Sequence, residues 1–186
     1  MDTRIDILRE IITTGRALWE EHLVTSHGGN ISVREKDTVY ITNTGTKLGF
    51  LKEEDISAIP INADRSIYPR ISSEWDVHKN IYLNTKARAI IHAHPPHTVA
   101  LSLRLNRIEA MDYEGLLTFK SVEVIENHGE RDLLIKSIVD VIRKDRIVVV
   151  KGHGTFAIGD SLEEALFLTS SLEFSSKIIL TINQWK

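Results

Sequence analysis

Two spacings among the eight histidines of this 186-residue chain could do chemistry. His92 and His94 close the apolar run Ala87–His94, and in a strand a two-residue offset turns both imidazoles to one face, with Cα atoms about 6–7 Å apart. Two nitrogens can then meet one ion at roughly 2.0–2.1 Å. A His-x-His pair also arises without any ligand role, so a third group is needed. Lys151-Gly152-His153-Gly154 offers it, because His153 follows a second apolar run, Arg146–Lys151, between glycines that permit close backbone approach or unusual φ. Three histidines leave a tetrahedral zinc with one open position, the arrangement of catalytic sites, and an open metal works as a Lewis acid on substrate oxygens. With no cysteine in the chain, a metal must be held by His, Asp or Glu. A lone histidine on a helix or loop is usually a surface or satisfied core residue, which is the reading for His22, His78 and His128. His27 and His97 receive no role.

Glu74 follows Ser72 and Ser73 and precedes Trp75, His78, Ile81 and Tyr82. The serine should cap a helix there, and in isolation a carboxylate in the first turn only offsets the helix dipole. The serine hydroxyls and the free N–H groups of a helix start also suit an anion such as phosphate. Two further small-residue turns, Gly28-Gly29-Asn30 and Thr42-Asn43-Thr44-Gly45-Thr46, could close on the same anion. Each alone is simply a turn. Beside a metal triad, the three together point to a phosphate pocket.

These residues need a frame. Isolated positions Ile5, Leu8, Ile12 and Leu18 give residues 4–20 a helical stripe. Asn30–Arg34 and Thr38–Thr42 read as a hairpin, Ala87–His94 as a strand stopped by Pro95-Pro96, and Thr98–Leu105 as a helix. A strand around 121–126, a helix over 131–144 and the strand Arg146–Lys151 follow. Ser161, with Glu164 three residues on, should form a capping box for a helix reaching about Asn183. The pattern predicts an α/β or α+β sandwich, a central sheet covered by helices, in a single domain over 1–186.

Composition narrows the partners. The chain is 42% hydrophobic and 26% charged, with net charge −3 and 23 scattered basic residues, so no basic stripe argues for nucleic acid. No apolar signal core follows the charged N-terminus, and no run approaches about 18 uninterrupted apolar residues, so no membrane is expected and a cytoplasmic location is.

In order, the segments SHGGNIS, ITNTGT, ISSEWDVH, IIHAHPPHTVALS and VKGHGTFAIG resemble the class II aldolase/adducin family, closest to its branch acting on L-fuculose 1-phosphate, over about residues 5–180. The resemblance implies a three-layer αβα fold with a central, mostly antiparallel sheet. It implies one zinc per subunit on His92, His94 and His153, with Glu74 as acid/base. Asn30, Thr44, Gly45, Ser72 and Ser73 would hold the phosphate of a sugar phosphate. The implied reaction is the reversible cleavage of a ketose 1-phosphate to dihydroxyacetone phosphate and an aldehyde, in a homotetramer with interfacial active sites. Tyr113 matches a tyrosine supplied by a neighbouring subunit, which would give the aldehyde oxygen its proton. Two departures stand out: the chain stops soon after its last helix, without the extension that covers the site in longer relatives, and Asn43 replaces a common proline. The family also contains methylthioribulose-phosphate dehydratases, which use the same triad. It contains sugar-phosphate 4-epimerases, which typically have Asp where this chain has Glu74, and adducin-like scaffolds, which have lost metal ligands that this chain keeps.

Overall fold

In the computed structural model, which describes residues 3–127 and 129–183, alternation along the strands sorts side chains into two cores on opposite faces of one sheet. The elements are α1 (Thr3–Glu20), β1 (Asn30–Glu35), β2 (Thr38–Thr42), β3 (Ile56–Pro60), α2 (Trp75–Asn84), β4 (Ala89–Ala93), α3 (Pro96–Ser102), β5 (Arg107–Glu109), α4 (Tyr113–Thr118), β6 (Ser121–Ile125), α5 (Arg131–Ile142), β7 (Ile147–Val150), β8 (Gly154–Gly159) and α6 (Leu162–Asn183). The eight strands run in the order β3-β2-β1-β4-β8-β7-β6-β5. Every neighbouring pair is antiparallel except β6 and β7, so the sheet is mixed and mostly antiparallel, flanked by helices as expected.

Ala89, Ile91, Ala93, Ile147, Val149 and Ala157 enter the core beneath α1 and α6, whereas Ile90, Val148, Val150, Phe156 and Ile158 enter the core beneath α2 and α5. That period of two places His92 on the α2 side, since it shares a face with Ile90. The long helix α6 has the length and apolarity to cross a membrane by composition alone, but Leu162, Ala165, Leu168 and Leu172 bury into the sheet.

Several expectations shift by a residue or two. In α1 the buried stripe is Ile7, Leu8, Ile11 and Leu18, and Ile5 is exposed, because Ile7 and Ile11 complete the i, i+4 row with Leu18. The helix expected over 98–105 begins earlier, at Pro96, whose missing N–H costs nothing in a first turn. At α6 the Ser161 hydroxyl accepts from the Glu164 N–H, but the Glu164 carboxylate reaches back to the N–H of Asp160 rather than Ser161. His22 is an exposed turn residue after α1, a surface position, while His128 lies outside the described residues.

Candidate metal and phosphate site

The sheet centre positions the histidines. β4 pairs with β8 so that His92 lies opposite Phe156, and the two rings stack with centroids 4.2 Å apart. His94 sits one residue beyond β4, where its N–H donates to the Leu23 carbonyl. His153 occupies the turn between β7 and β8, its N–H returned to the Val150 carbonyl. Both glycines that bracket it are required: Gly152 has φ +66°, and a side chain on Gly154 would collide with the Ala93 carbonyl. Ser102 Oγ, at the end of α3, accepts the Gly152 N–H at 2.9 Å and ties this turn to the helix. The start of α3 is tied in turn by Glu173 of α6, whose carboxylate accepts from the N–H groups of His97 and Thr98 and the Thr98 hydroxyl, and lies 2.6 Å from His97 Nδ1.

The result is a cluster in which one ligand atom from each of His92, His94 and His153 lies within 4.8 Å of the others. His92 Nδ1 is 2.9 Å from the Thr155 carbonyl, so this nitrogen carries the proton and Nε2 keeps its lone pair, aimed at His94 Nε2 only 3.0 Å away. Tetrahedral zinc with bonds of about 2.0–2.1 Å spaces its nitrogens roughly 3.3 Å apart, so the donor set fits such an ion. Burial, and then the neighbouring imidazoles, push the His92 pKa well below its ordinary 6.5. Burial and His153 lower that of His94 to about 4, against a raising influence from Glu74. Both rings are therefore neutral near pH 7, the form that binds a metal.

A cavity of about 160 Å³ joins this cluster to Glu74 and to all three turns, lined by Gly28, Asn30, Thr44, Gly45, Ser72 and Ser73 among others. His27, which the sequence left without a role, also borders it. The buried Asn30 Oδ1 has no hydrogen-bond partner, an uncompensated acceptor facing a polar pocket. Fewer backbone donors are free than the sequence suggested, because the Ser72 N–H goes to the Thr42 carbonyl and the Thr44 N–H to the Arg70 carbonyl. Outside helices and strands, no described carbonyl takes the N–H of Gly45 or Ser73. Asn43 does what proline could not: its N–H donates to the Asp55 carbonyl, its amide to the Glu54 carbonyl, and its Oδ1 accepts from Ser57.

Glu74 departs from its dipole-compensating reading. The first residue of α2 is Trp75, Glu74 sits at the N-cap position, and its side chain caps nothing; Ser72 Oγ accepts the Glu74 N–H instead. The freed carboxylate is gripped by Arg131, which sequence inspection missed. His78, one turn on, is fully buried with Nδ1 2.7 Å from Ser32 Oγ, but its Nε2 has no partner, so it is a core histidine only half satisfied. Tyr113 is not in this cavity. It opens α4 and is 73% exposed.

The family model for the class II aldolase and adducin N-terminal domain matches residues 9–180. This chain belongs to the class II aldolase and adducin family. Its relatives in that family include an L-fuculose phosphate aldolase of Methanococcus vannielii, 31% identical over 92% of this chain and 94% of that protein. The crystal structure of l-fuculose-1-phosphate aldolase from Thermus thermophilus superposes with a TM-score of 0.88 at 31% identity, covering 96% of this chain and 95% of that one. A methylthioribulose-1-phosphate dehydratase of Granulibacter bethesdensis is 27% identical over 88% of this chain and 86% of that protein. As a class II aldolase family member, the chain is a lyase, of a metal-dependent class.

Proposed function

We propose that this lyase is a zinc aldolase, with one zinc per subunit on His92, His94 and His153, that reversibly cleaves a ketose 1-phosphate of the L-fuculose 1-phosphate type to dihydroxyacetone phosphate and an aldehyde. The observation that carries the reading is a single cavity holding three histidines, the Glu74 carboxylate and three small-residue turns. In it, Ser72, Ser73, Thr44, Gly45 and Asn30 bind the phosphate and so fix which carbon faces Glu74. Bound zinc would supply Lewis-acid polarisation of the substrate's carbonyl and hydroxyl oxygens. Glu74 takes the proton from the adjacent carbon in synthesis and returns it in cleavage. Tyr113 donates the proton that the aldehyde oxygen needs as the new bond forms.

Since Tyr113 lies outside its own chain's cavity, that last role needs a second subunit. A homotetramer with interfacial sites supplies one, and the exposed Met111, Leu116 and Leu117 beside Tyr113, with Phe174 of the neighbouring α6, give it an apolar surface to bury. The protein acts in the cytoplasm as one domain over 1–186. The dehydratase reading rests on the Granulibacter relative and would use the same metal triad with a nearby carboxylate, whereas Glu74 itself speaks against the epimerase.

Aldol synthesis from dihydroxyacetone phosphate and a panel of aldehydes, with and without chelator, tests this. Chelator-sensitive formation of a ketose 1-phosphate is expected. Dehydration of a methylthioribulose phosphate without any aldol product would transfer the assignment to the dehydratase.

A further inference from the structure

Arg131 stands where helix electrostatics disfavour it. It is the first residue of α5, where a cation meets the positive end of the helix dipole. A local rule broken at one position calls for a use elsewhere. Its guanidinium turns away from α5 to the Ser72-Ser73-Glu74 turn. There Nη1 donates to Glu74 Oε1 at 3.2 Å and lies 3.1 Å from Oε2, while Nη2 donates to the Ser73 carbonyl at 3.1 Å. One planar group thus holds both carboxylate oxygens and the adjoining backbone. The Glu74 side chain is 16% exposed and that of Arg131 41%, so the pair sits at the rim with the carboxylate inward. α2 gives this carboxylate no restraint of its own, because Ser72 does the capping.

We propose that Arg131 is a positioning residue, fixing the Glu74 carboxylate at the cavity wall in the orientation that proton transfer requires. This rests on Glu74 being the base. A flexible glutamate has several rotamers available, and a base must be within hydrogen-bond reach of one carbon-bound proton, so misplacement by about 1 Å costs on the order of 100-fold. The fork geometry matters as well as the charge: a lysine ammonium cannot bridge two oxygens and a carbonyl in one plane. A staple that merely joined α5 to α2 would affect stability without a selective effect on turnover.

Deuterium exchange from solvent into dihydroxyacetone phosphate separates these roles in the metal-loaded wild type, Arg131→Ala, Arg131→Lys and Glu74→Gln. Both arginine variants should lose about 10–100-fold in kcat with KM within about twofold, and added guanidinium ion should restore part of the Arg131→Ala loss but none in Glu74→Gln. An unchanged kcat, or a loss carried by KM alone, would overturn the proposal. A second measurement needs no turnover: Tm values of the wild type, both single variants and the double variant Glu74→Gln/Arg131→Ala form a cycle. Shifts that fail to add support the pair, and strictly additive shifts overturn it. A wild type inert toward dihydroxyacetone phosphate would count against the base assignment itself, and the cycle would still decide whether Arg131 holds Glu74.

Discussion

The histidine cluster and the α4 surface carry residues assigned to one reaction, yet they are built in opposite ways. The cluster lies on β4 and on the turns that follow β4 and join β7 to β8, at the sheet centre, with Ile90, Val148 and Phe156 fully packed beneath it and backbone hydrogen bonds on His92, His94 and His153. α4 is a six-residue helix capped by Asp112, whose Tyr113, Leu116 and Leu117 face outward. The contrast teaches that the three histidines converge within one chain, whereas Tyr113 stands outside that chain's cavity, so the role proposed for it calls for a second copy. Precise geometry comes from the sheet in the first region; in the second, the proposed role of Tyr113 would draw it from a neighbouring copy.

Breaking the cluster should have the largest effect. His153→Ala removes one of the three proposed ligands, in the turn between β7 and β8, and should abolish both stoichiometric zinc and turnover. Elemental analysis after dialysis, run beside the aldol assay, checks this. Retained zinc with full activity would leave His92 and His94 sufficient and the triad misassigned. The second prediction concerns the link between the regions. Tyr113→Phe should lower aldol turnover by about 10²–10⁴-fold while zinc is kept, the range for removing one proton donor or acceptor, and Glu74→Gln should do likewise. Mixed and re-equilibrated, the two inactive proteins should regain activity, because a hybrid places an intact Glu74 of one copy beside an intact Tyr113 of another. No recovery on mixing would mean that each chain completes its own site.

How far the sequence disclosed these regions follows from the range of the forces involved. His92 and His94 were legible because strand periodicity is local, and His153 because two glycines announced a tight turn. β8 was not recognised as a strand: Gly154–Gly159 is buried on both faces, so it lacks the alternation that marks a half-exposed strand. β5, with three residues, and α4, with six, are too short to show a period, although Asp112 three residues before Gly115 was a usable capping signal. Arg131 pairs with Glu74 across 57 positions, which no local pattern encodes. Its one trace was a cation in the first turn of a helix. The partner surface proposed for Tyr113 is the furthest removed, since it would depend on contacts between chains.

The smallest effect predicted is a pH dependence that should track the cluster and ignore α4. Burial lowers the pKa of His94 from 6.5 to about 4 and that of His78 to about 3, and moves His92 in the same direction. In the unfolded chain these groups titrate near 6.5. Between the folded and unfolded values the unfolded chain binds more protons, so stability rises with pH there. The contribution is fully present above about pH 6.5 and declines as pH falls; His94 adds no further loss below about 4, nor His78 below about 3. Denaturation midpoints of zinc-free protein should therefore fall between about pH 7 and pH 5.5, a window in which ordinary carboxylates stay ionised. The Tyr113→Phe variant should give the same slope as wild type. A midpoint constant across that window in the wild type would mean that the imidazoles are solvated in solution, and the contrast between a buried cluster and an open α4 surface would not hold.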